Sequence, residues 1–166
     1  MTSPLPEPDM VAAAAMWQAY RDEVPGPDGE HPTVEYFGDS AELADELLAL
    51  VLEGQKRATA TLFAEFEADG QPVPQIGGHW IACDGRGTPV AVLRSTELRL
   101  GTLESVDDAF AYDEGEGDRT RESWVRSHTR YWQRGAEARG IRWSEQESEI
   151  VFERFTVVWP PEHRTP

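Results

Sequence analysis

Cysteine, long apolar runs and, over the first third of the chain, positive charge are what this sequence has little of. Cys83 is the one cysteine in 166 residues, which excludes an intrachain disulfide and a cysteine-built metal cage. The four histidines, at positions 31, 79, 128 and 163, show no HExxH or comparable ligand spacing, so neither a metal nor another cofactor is expected. No stretch approaches the roughly 20 apolar residues that a membrane-spanning helix needs. The apolar run Met10 to Trp17 is short, and MTSPLPEP before it lacks the basic segment of a signal peptide. A cytoplasmic protein without a membrane partner is expected.

The shortage of positive charge is local. Net charge is −16; residues 1–53 hold 12 acidic side chains against Arg21 alone, whereas the other 113 residues carry 19 acidic and 14 basic groups. A long polynucleotide is held through many phosphate-neutralising cations, so this chain should not bind a long duplex tightly. A nucleoside or a short single strand escapes that argument.

What is present is enough apolar material for a globular core, with 39% hydrophobic residues and six tryptophans. Asp9 to about Glu23 reads as a helix with Asp9 as N-cap, and the Pro- and Gly-rich Val24 to Pro32 reads as a loop. Asp39 opens a second helix, with Glu42 completing a capping box. Leu43, Leu47, Leu50 and Val51 form its apolar stripe, and Gly54 stops it. Beyond Gly54 the pattern turns to strands: Thr59 to Phe66, Trp80 to Cys83, Val90 to Leu98 and Ile150 to Trp159. Asp84-Gly85-Arg86-Gly87 reads as a hairpin turn. Ile150 to Trp159 is apolar on both faces apart from Glu153 and Arg154, as a buried or barrel-closing strand would be. Two helical patches interrupt the strands, Val106 to Tyr112 capped by Ser105, and about Arg119 to Arg139.

On the longer patch Trp124, His128, Tyr131 and Gly135 fall on one side, with Arg119, Arg126, Arg130 and Arg134 opposite. Residues 119–142 carry seven arginines against Glu122 and Glu137. Such a run is more often a solvated face than a cationic strip for RNA phosphates. The short segment Gly54-Gln55-Lys56-Arg57-Ala58-Thr59 puts an amine and a hydroxyl three residues apart at a helix-to-strand junction, a pairing suited to activating a nucleophile or gripping a polar ligand.

LADELLALVLEGQKRATATLF, QIGGHWIACD, DDAFAYDEGEGDRTRESW and the closing ERFTVVW together resemble an ASCH domain, of the stand-alone bacterial type with an EGEGDR loop. The resemblance covers about residues 35 to 159. It implies an α+β fold, a PUA-like β-barrel flanked by helices, with residues 1–34 packed on the domain, 35–160 forming it and 161–166 a tail. It further implies recognition of RNA or a nucleoside in a cleft lined by the G-x-K-x-x-T segment. Some small bacterial members remove the acetyl group from N4-acetylcytidine using a Lys, a Thr and a Glu, and at least one is a ribonuclease. Residue by residue, Lys56 and Thr59 match the first two roles and Glu114 matches the acid, although Glu116 and Asp118 leave that assignment open. The strand after the motif usually opens with Gly-Asp, where this chain has Gly77-Gly78-His79.

Each candidate has a plain structural role beside the chemical one. Thr59 is a potential nucleophile or an ordinary strand threonine. Lys56 would be a base only if neutral, which needs a pKa about 3 units below its usual ~10.4. Charged, it would orient Thr59 or stabilise an oxyanion. Arg57, Glu116, Arg119, Trp124 and His128 are the expected substrate-binding residues. Trp124 is a base-stacking platform or a core side chain, His128 a buried hydrogen-bonded one. Three functions follow: nucleoside amidohydrolase, non-catalytic binder of RNA or a modified nucleotide, and single-strand ribonuclease.

Overall fold

The computed structural model describes residues 3–26 and 29–166; Pro27 and Asp28 of the expected loop, and Met1 and Thr2, lie outside them. The chain forms two compact units. One comprises residues 1–54, 77–95 and 155–166, the other residues 55–76 and 96–154. Five strands, β1 (Thr33–Glu35), β2 (Ala58–Leu62), β3 (His79–Cys83), β4 (Pro89–Gly101) and β5 (Ile150–Trp159), form a sheet in the order β1-β3-β4-β5-β2. β1 runs parallel to β3, whereas β3–β4 and β5–β2 are antiparallel. This is the expected α+β class. Among the described residues no helix is long and apolar enough to cross a membrane.

In the first unit, α1 (Met10–Glu23) is capped by Asp9 as the sequence indicates. Helix α2 (Ala41–Leu52) begins one residue later than expected: the Ser40 hydroxyl accepts the Leu43 N–H, while Glu42 leaves the proposed capping box to bind the Ser3 amide and hydroxyl. The Asp84–Gly87 turn closes as predicted, the Asp84 N–H donating to Thr88 O at 2.9 Å. Phe37, Leu47, Leu48, Val51, Leu93, Phe155 and Val157 form this unit's principal core. Strand β1, only three residues long, carries too little alternation to be read from sequence.

The second unit departs further from expectation. The predicted strand Thr59 to Phe66 ends at Leu62, and Phe63–Asp69 turns into helix α3, closed by Gly70 in the left-handed region at φ 63°. Ala and Glu favour helix there, and Phe63 and Phe66 fall on one helical face at a spacing of three. Helix α4 is Asp108–Glu114, capped by Asp107 rather than Ser105. The Ser105 hydroxyl is already committed to Thr102 O in a 3₁₀ turn over Leu103–Ser105. Helix α5 (Arg121–Arg139) buries Trp124, His128, Trp132 and Ala136, an unbroken i,i+4 series. Tyr131 and Gly135 therefore flank the core face rather than form it. Ala58, Leu62, Phe110, Trp124, Trp132, Ile150 and Phe152 make up the core of this unit.

Candidate functional site

Lys56 is the only lysine in the sequence, and it is 2% exposed. Two hydrogen bonds fix the segment that carries it. The Gln55 side-chain amide donates to Gly115 O at 2.7 Å, and the Arg57 N–H donates to Asp113 O at 2.7 Å, so the segment is lashed to the end of α4. Gly115 is required at that junction, because its φ is 73° and an added Cβ would lie 2.5 Å from Gln55 O.

Lys56 Nζ donates to Ala58 O at 2.8 Å and lies 3.3 Å from Glu114 Oε1 and 3.6 Å from Glu116 Oε1. The other Glu114 oxygen accepts the Trp124 indole N–H and sits 3.2 Å from His128 Nε2. His128 Nδ1 meets Trp124 O at 2.9 Å. A carbonyl only accepts, so Nδ1 carries a proton; Nε2 faces a carboxylate, which also only accepts when ionised. The ring is thus an imidazolium in this arrangement. Burial alone would push His128 down, but the Glu114 carboxylate outweighs it and holds the ring above its usual value.

The two acids are driven apart. Burial favours the neutral form of Glu114, yet the charges of His128 and Lys56 more than offset it, and its carboxyl is held below the ordinary range. Glu116 is pushed above that range by burial, with the Glu114 charge adding to it and Lys56 only partly opposing. Glu116 is also the accessible member, its side chain 28% exposed against 2% for Glu114. The site therefore pairs a buried, fixed anion with a more exposed carboxyl whose proton affinity is raised by burial. Two neighbouring carboxyls with divergent affinities are the usual arrangement for dividing acid and base roles.

Glu114, Glu116 and His128 present ligand atoms within 4.8 Å of one another, the spacing of a cation site. The cation those carboxylates face is supplied by the chain itself, as the Lys56 ammonium, and the imidazolium of His128 has no lone pair to offer. The residue set fits an internal ion cluster better than a metal centre.

Of the predicted site residues, Lys56, Glu114, Glu116, Trp124 and His128 come together. Trp124 has His128 stacked at 3.9 Å and Phe152 at 6.0 Å, so the buried ring steadies Glu114 rather than offering a face to a base. Asp118 is structural: it accepts the Thr120 N–H and hydroxyl, and Thr120 in turn caps α5. Thr59 lies mid-β2 opposite Glu153. Its neighbours Ala58 and Ala60 pack on the core, so by strand alternation its side chain points to the other face. Arg57 is exposed. Arg119 leaves the long helix altogether and belongs to the loop before it, with its Nε donating to Tyr112 O at 2.9 Å. At φ 63° it is the one non-glycine described residue with positive φ, a conformation costing about 1–2 kcal/mol. The departure at Gly77-Gly78-His79 also has a counterpart: the Glu30 carboxylate takes the His79 backbone N–H at 2.8 Å and faces its Nδ1 at 3.0 Å.

A family model for the ASCH domain matches residues 33–159, and the chain belongs to that family, one generally associated with binding RNA or nucleotides. Solved structures agree. The ASCH domain from Lactobacillus crispatus JV V101 superposes with a TM-score of 0.79 at 25% identity, covering 89% of this chain and 94% of that one. Protein EF3133 from Enterococcus faecalis V583 gives a TM-score of 0.79 at 26% identity, covering 89% and 88%. The PUA-like arrangement expected from the sequence is thereby observed. Among curated proteins there is no match.

Proposed function

We propose that the Lys56–Glu114–Glu116 cluster recognises the base of a nucleoside or of an RNA end and hydrolyses an amide on it, as in an N4-acylated cytidine. The observation that carries this reading is that Lys56 Nζ lies 3.3 Å from the buried Glu114 carboxylate and 3.6 Å from the more exposed Glu116, whose carboxyl burial pushes upward. Glu116 in its acid form delivers a proton to the leaving exocyclic amine. Lys56, buried behind the two acids, provides a fixed positive charge whose field favours the oxyanion that develops on the acyl carbonyl. Addition of a hydroxyl or water oxygen to the carbonyl carbon and cleavage of the C–N bond yield the free amine and, once water has completed the reaction, the carboxylic acid. Trp124 and His128 act as positioning residues, keeping Glu114 ionised and in place.

Thr59 supplies the attacking oxygen in the resemblance-based set, whereas its strand face favours water. The non-catalytic binding reading gains from the same fact, because a site without an aligned nucleophile still binds. Assaying purified protein against N4-acylated cytosine nucleosides separates these. Turnover that survives Thr59→Ala and falls ~10²-fold or more in Lys56→Ala and Glu116→Gln supports water attack. Loss in Thr59→Ala with intact binding assigns Thr59 as nucleophile. Binding without turnover in the wild-type protein overturns the hydrolase reading and leaves the binding one.

A further inference from the structure

Lys56 meets Glu114 and Glu116 unequally. Its Nζ lies 3.3 Å from Glu114 Oε1 and 3.6 Å from Glu116 Oε1. Glu114 is held from behind by the Trp124 indole N–H and by His128, whereas the Glu116 side chain is 28% exposed. Glu116 therefore makes the longer contact, and makes it from the solvent side. An acid placed in this way is the one a solute can replace.

The loop allows that replacement without moving its backbone. Glu116 is flanked by Gly115 and Gly117, so no neighbouring Cβ hems in its side chain. Glu116 O accepts the Arg119 N–H at 3.0 Å, and Gly115 O accepts the Gln55 side-chain amide at 2.7 Å. Only the Glu116 side chain has to swing. Charge then selects the replacement. Among Lys56, His128, Glu114 and Glu116, positive and negative charges balance only while Glu116 is ionised and in place. When it holds a proton or swings out, one positive charge is left over beside a lysine that is 2% exposed. A neutral solute leaves that charge uncompensated, and a carboxylate compensates it. The end of the Glu116 side chain, Cγ with its carboxyl group, has the shape of acetate, so its displacement leaves room for an acid of about that size.

We infer that Lys56 binds a small monocarboxylate in exchange for the Glu116 carboxylate, so that the Glu116 side chain is a built-in competitor for that ligand. The exchange itself stands on the geometry of the cluster; its part in turnover rests on the hydrolase reading above. Amide hydrolysis releases a small carboxylic acid. Having passed its proton to the leaving amine, Glu116 is ionised, reclaims Lys56 and expels the carboxylate.

The test is an NMR titration at constant ionic strength that follows the Gly115 and Gly117 amide signals of wild-type, Glu116→Gln and Lys56→Met proteins. The probes are sodium acetate and its neutral counterpart acetamide. At about pH 7.5, acetate should bind Glu116→Gln at least about tenfold tighter than wild type, the worth of removing one competing bond to a charged group. Lys56→Met should bind no acetate, and acetamide should bind none of the three proteins. Lys56, Glu114 and His128 are the charged groups that face Glu116, and burial pushes its carboxyl above the usual range. A protonated Glu116 no longer competes, so the advantage of Glu116→Gln should shrink towards about pH 5.5. Titration of His128 acts on both proteins alike. The wild-type protein alone carries the same signature, since its acetate affinity should fall as pH rises over that range. Acetate affinity in Glu116→Gln equal to or below that of wild type overturns the exchange. So does acetamide binding as well as acetate, or a wild-type affinity that is constant with pH. Turnover of N4-acetylcytidine without acetate exchange leaves the hydrolase reading standing alone. Exchange without turnover leaves the carboxylate site and overturns the hydrolase reading.

Discussion

Replacing Lys56 by Met probes the ion cluster most directly. The substitution keeps an unbranched apolar stem but deletes the ammonium from a position 2% exposed. Glu114 then keeps only Trp124 and His128, having lost the partner at 3.3 Å, and Ala58 O loses its donor. Removing one member of a buried pair typically costs about 3–5 kcal/mol. The surviving partners of Glu114 place this case near the lower end, at about 3 kcal/mol. For a domain of this size each kcal/mol is worth roughly 2–4 °C, so a drop in Tm of ~6–12 °C is expected at pH 7. Lys56→Met/Glu114→Gln should melt above the single variant, because the carboxylate buried to 2% exposure is removed along with its partner. The sign of the pH dependence follows from Glu114. Its carboxyl is held below the ordinary range in the fold, so its contribution is fully present above about pH 4.3 and lost as pH falls through the folded value. Removing Lys56 removes part of that depression, and the gap between wild type and variant should narrow in acid. Calorimetric melts between pH 3.5 and 8 read this out. A variant melting within ~2 °C of wild type at pH 7, or a gap that is constant with pH, would refute the account of Glu114 as a carboxylate stabilised by Lys56.

Two further outcomes follow from the same loop and helix. His128 is held above its usual value, so its contribution is complete below about pH 6.5 and is lost as pH rises through the folded value; wild-type Tm should decline on the alkaline side, and His128→Gln should flatten that decline in melts at pH 6–9. Gly115→Ala should cost roughly 2–5 kcal/mol in urea titration, from left-handed strain plus the clash with Gln55 O, whereas Gly117→Ala, with its nearest contact at 3.1 Å, should cost nearer ~1–2 kcal/mol.

The convergence of Lys56 with Glu114 was legible because both lie in short motifs whose order the ASCH resemblance supplies. Strand β5 was legible to the residue, its ten residues, apolar on both faces apart from Glu153 and Arg154, being bounded by turn signals. Other features depended on competition that a linear reading does not rank. Ser40 against Asp39 and Asp107 against Ser105 are each a choice between two adequate caps, and Ser105 loses because its hydroxyl is already engaged by Thr102 O. Helix α3 was hidden because aromatic and alanine residues serve strand and helix alike, so β2 seemed to run on. The contrast between Glu114 and Glu116 in burial and proton affinity was beyond the sequence for a different reason: it arises from burial and from His128, which reaches the acids only through the packing of α5. Arg119 was misassigned to the helix because a 3.6-residue period says nothing of where the first turn begins.

That the chain's single side-chain amine lies inside the ion cluster makes the protein its own reporter of local opening. Among these 166 residues, an acylating reagent finds no lysine on the folded surface, so any side-chain amide it forms records an excursion in which Lys56 left Glu114. If that excursion costs ~4 kcal/mol, labelling should run about a thousandfold slower than for a free lysine. A ligand that closes over the cluster should slow it further, in proportion to its occupancy. The modified side chain is the same in every molecule, so the mass shift of the peptide that carries Lys56, read apart from any acylated α-amine, would measure both the breathing of the site and its ligation, with no engineered probe.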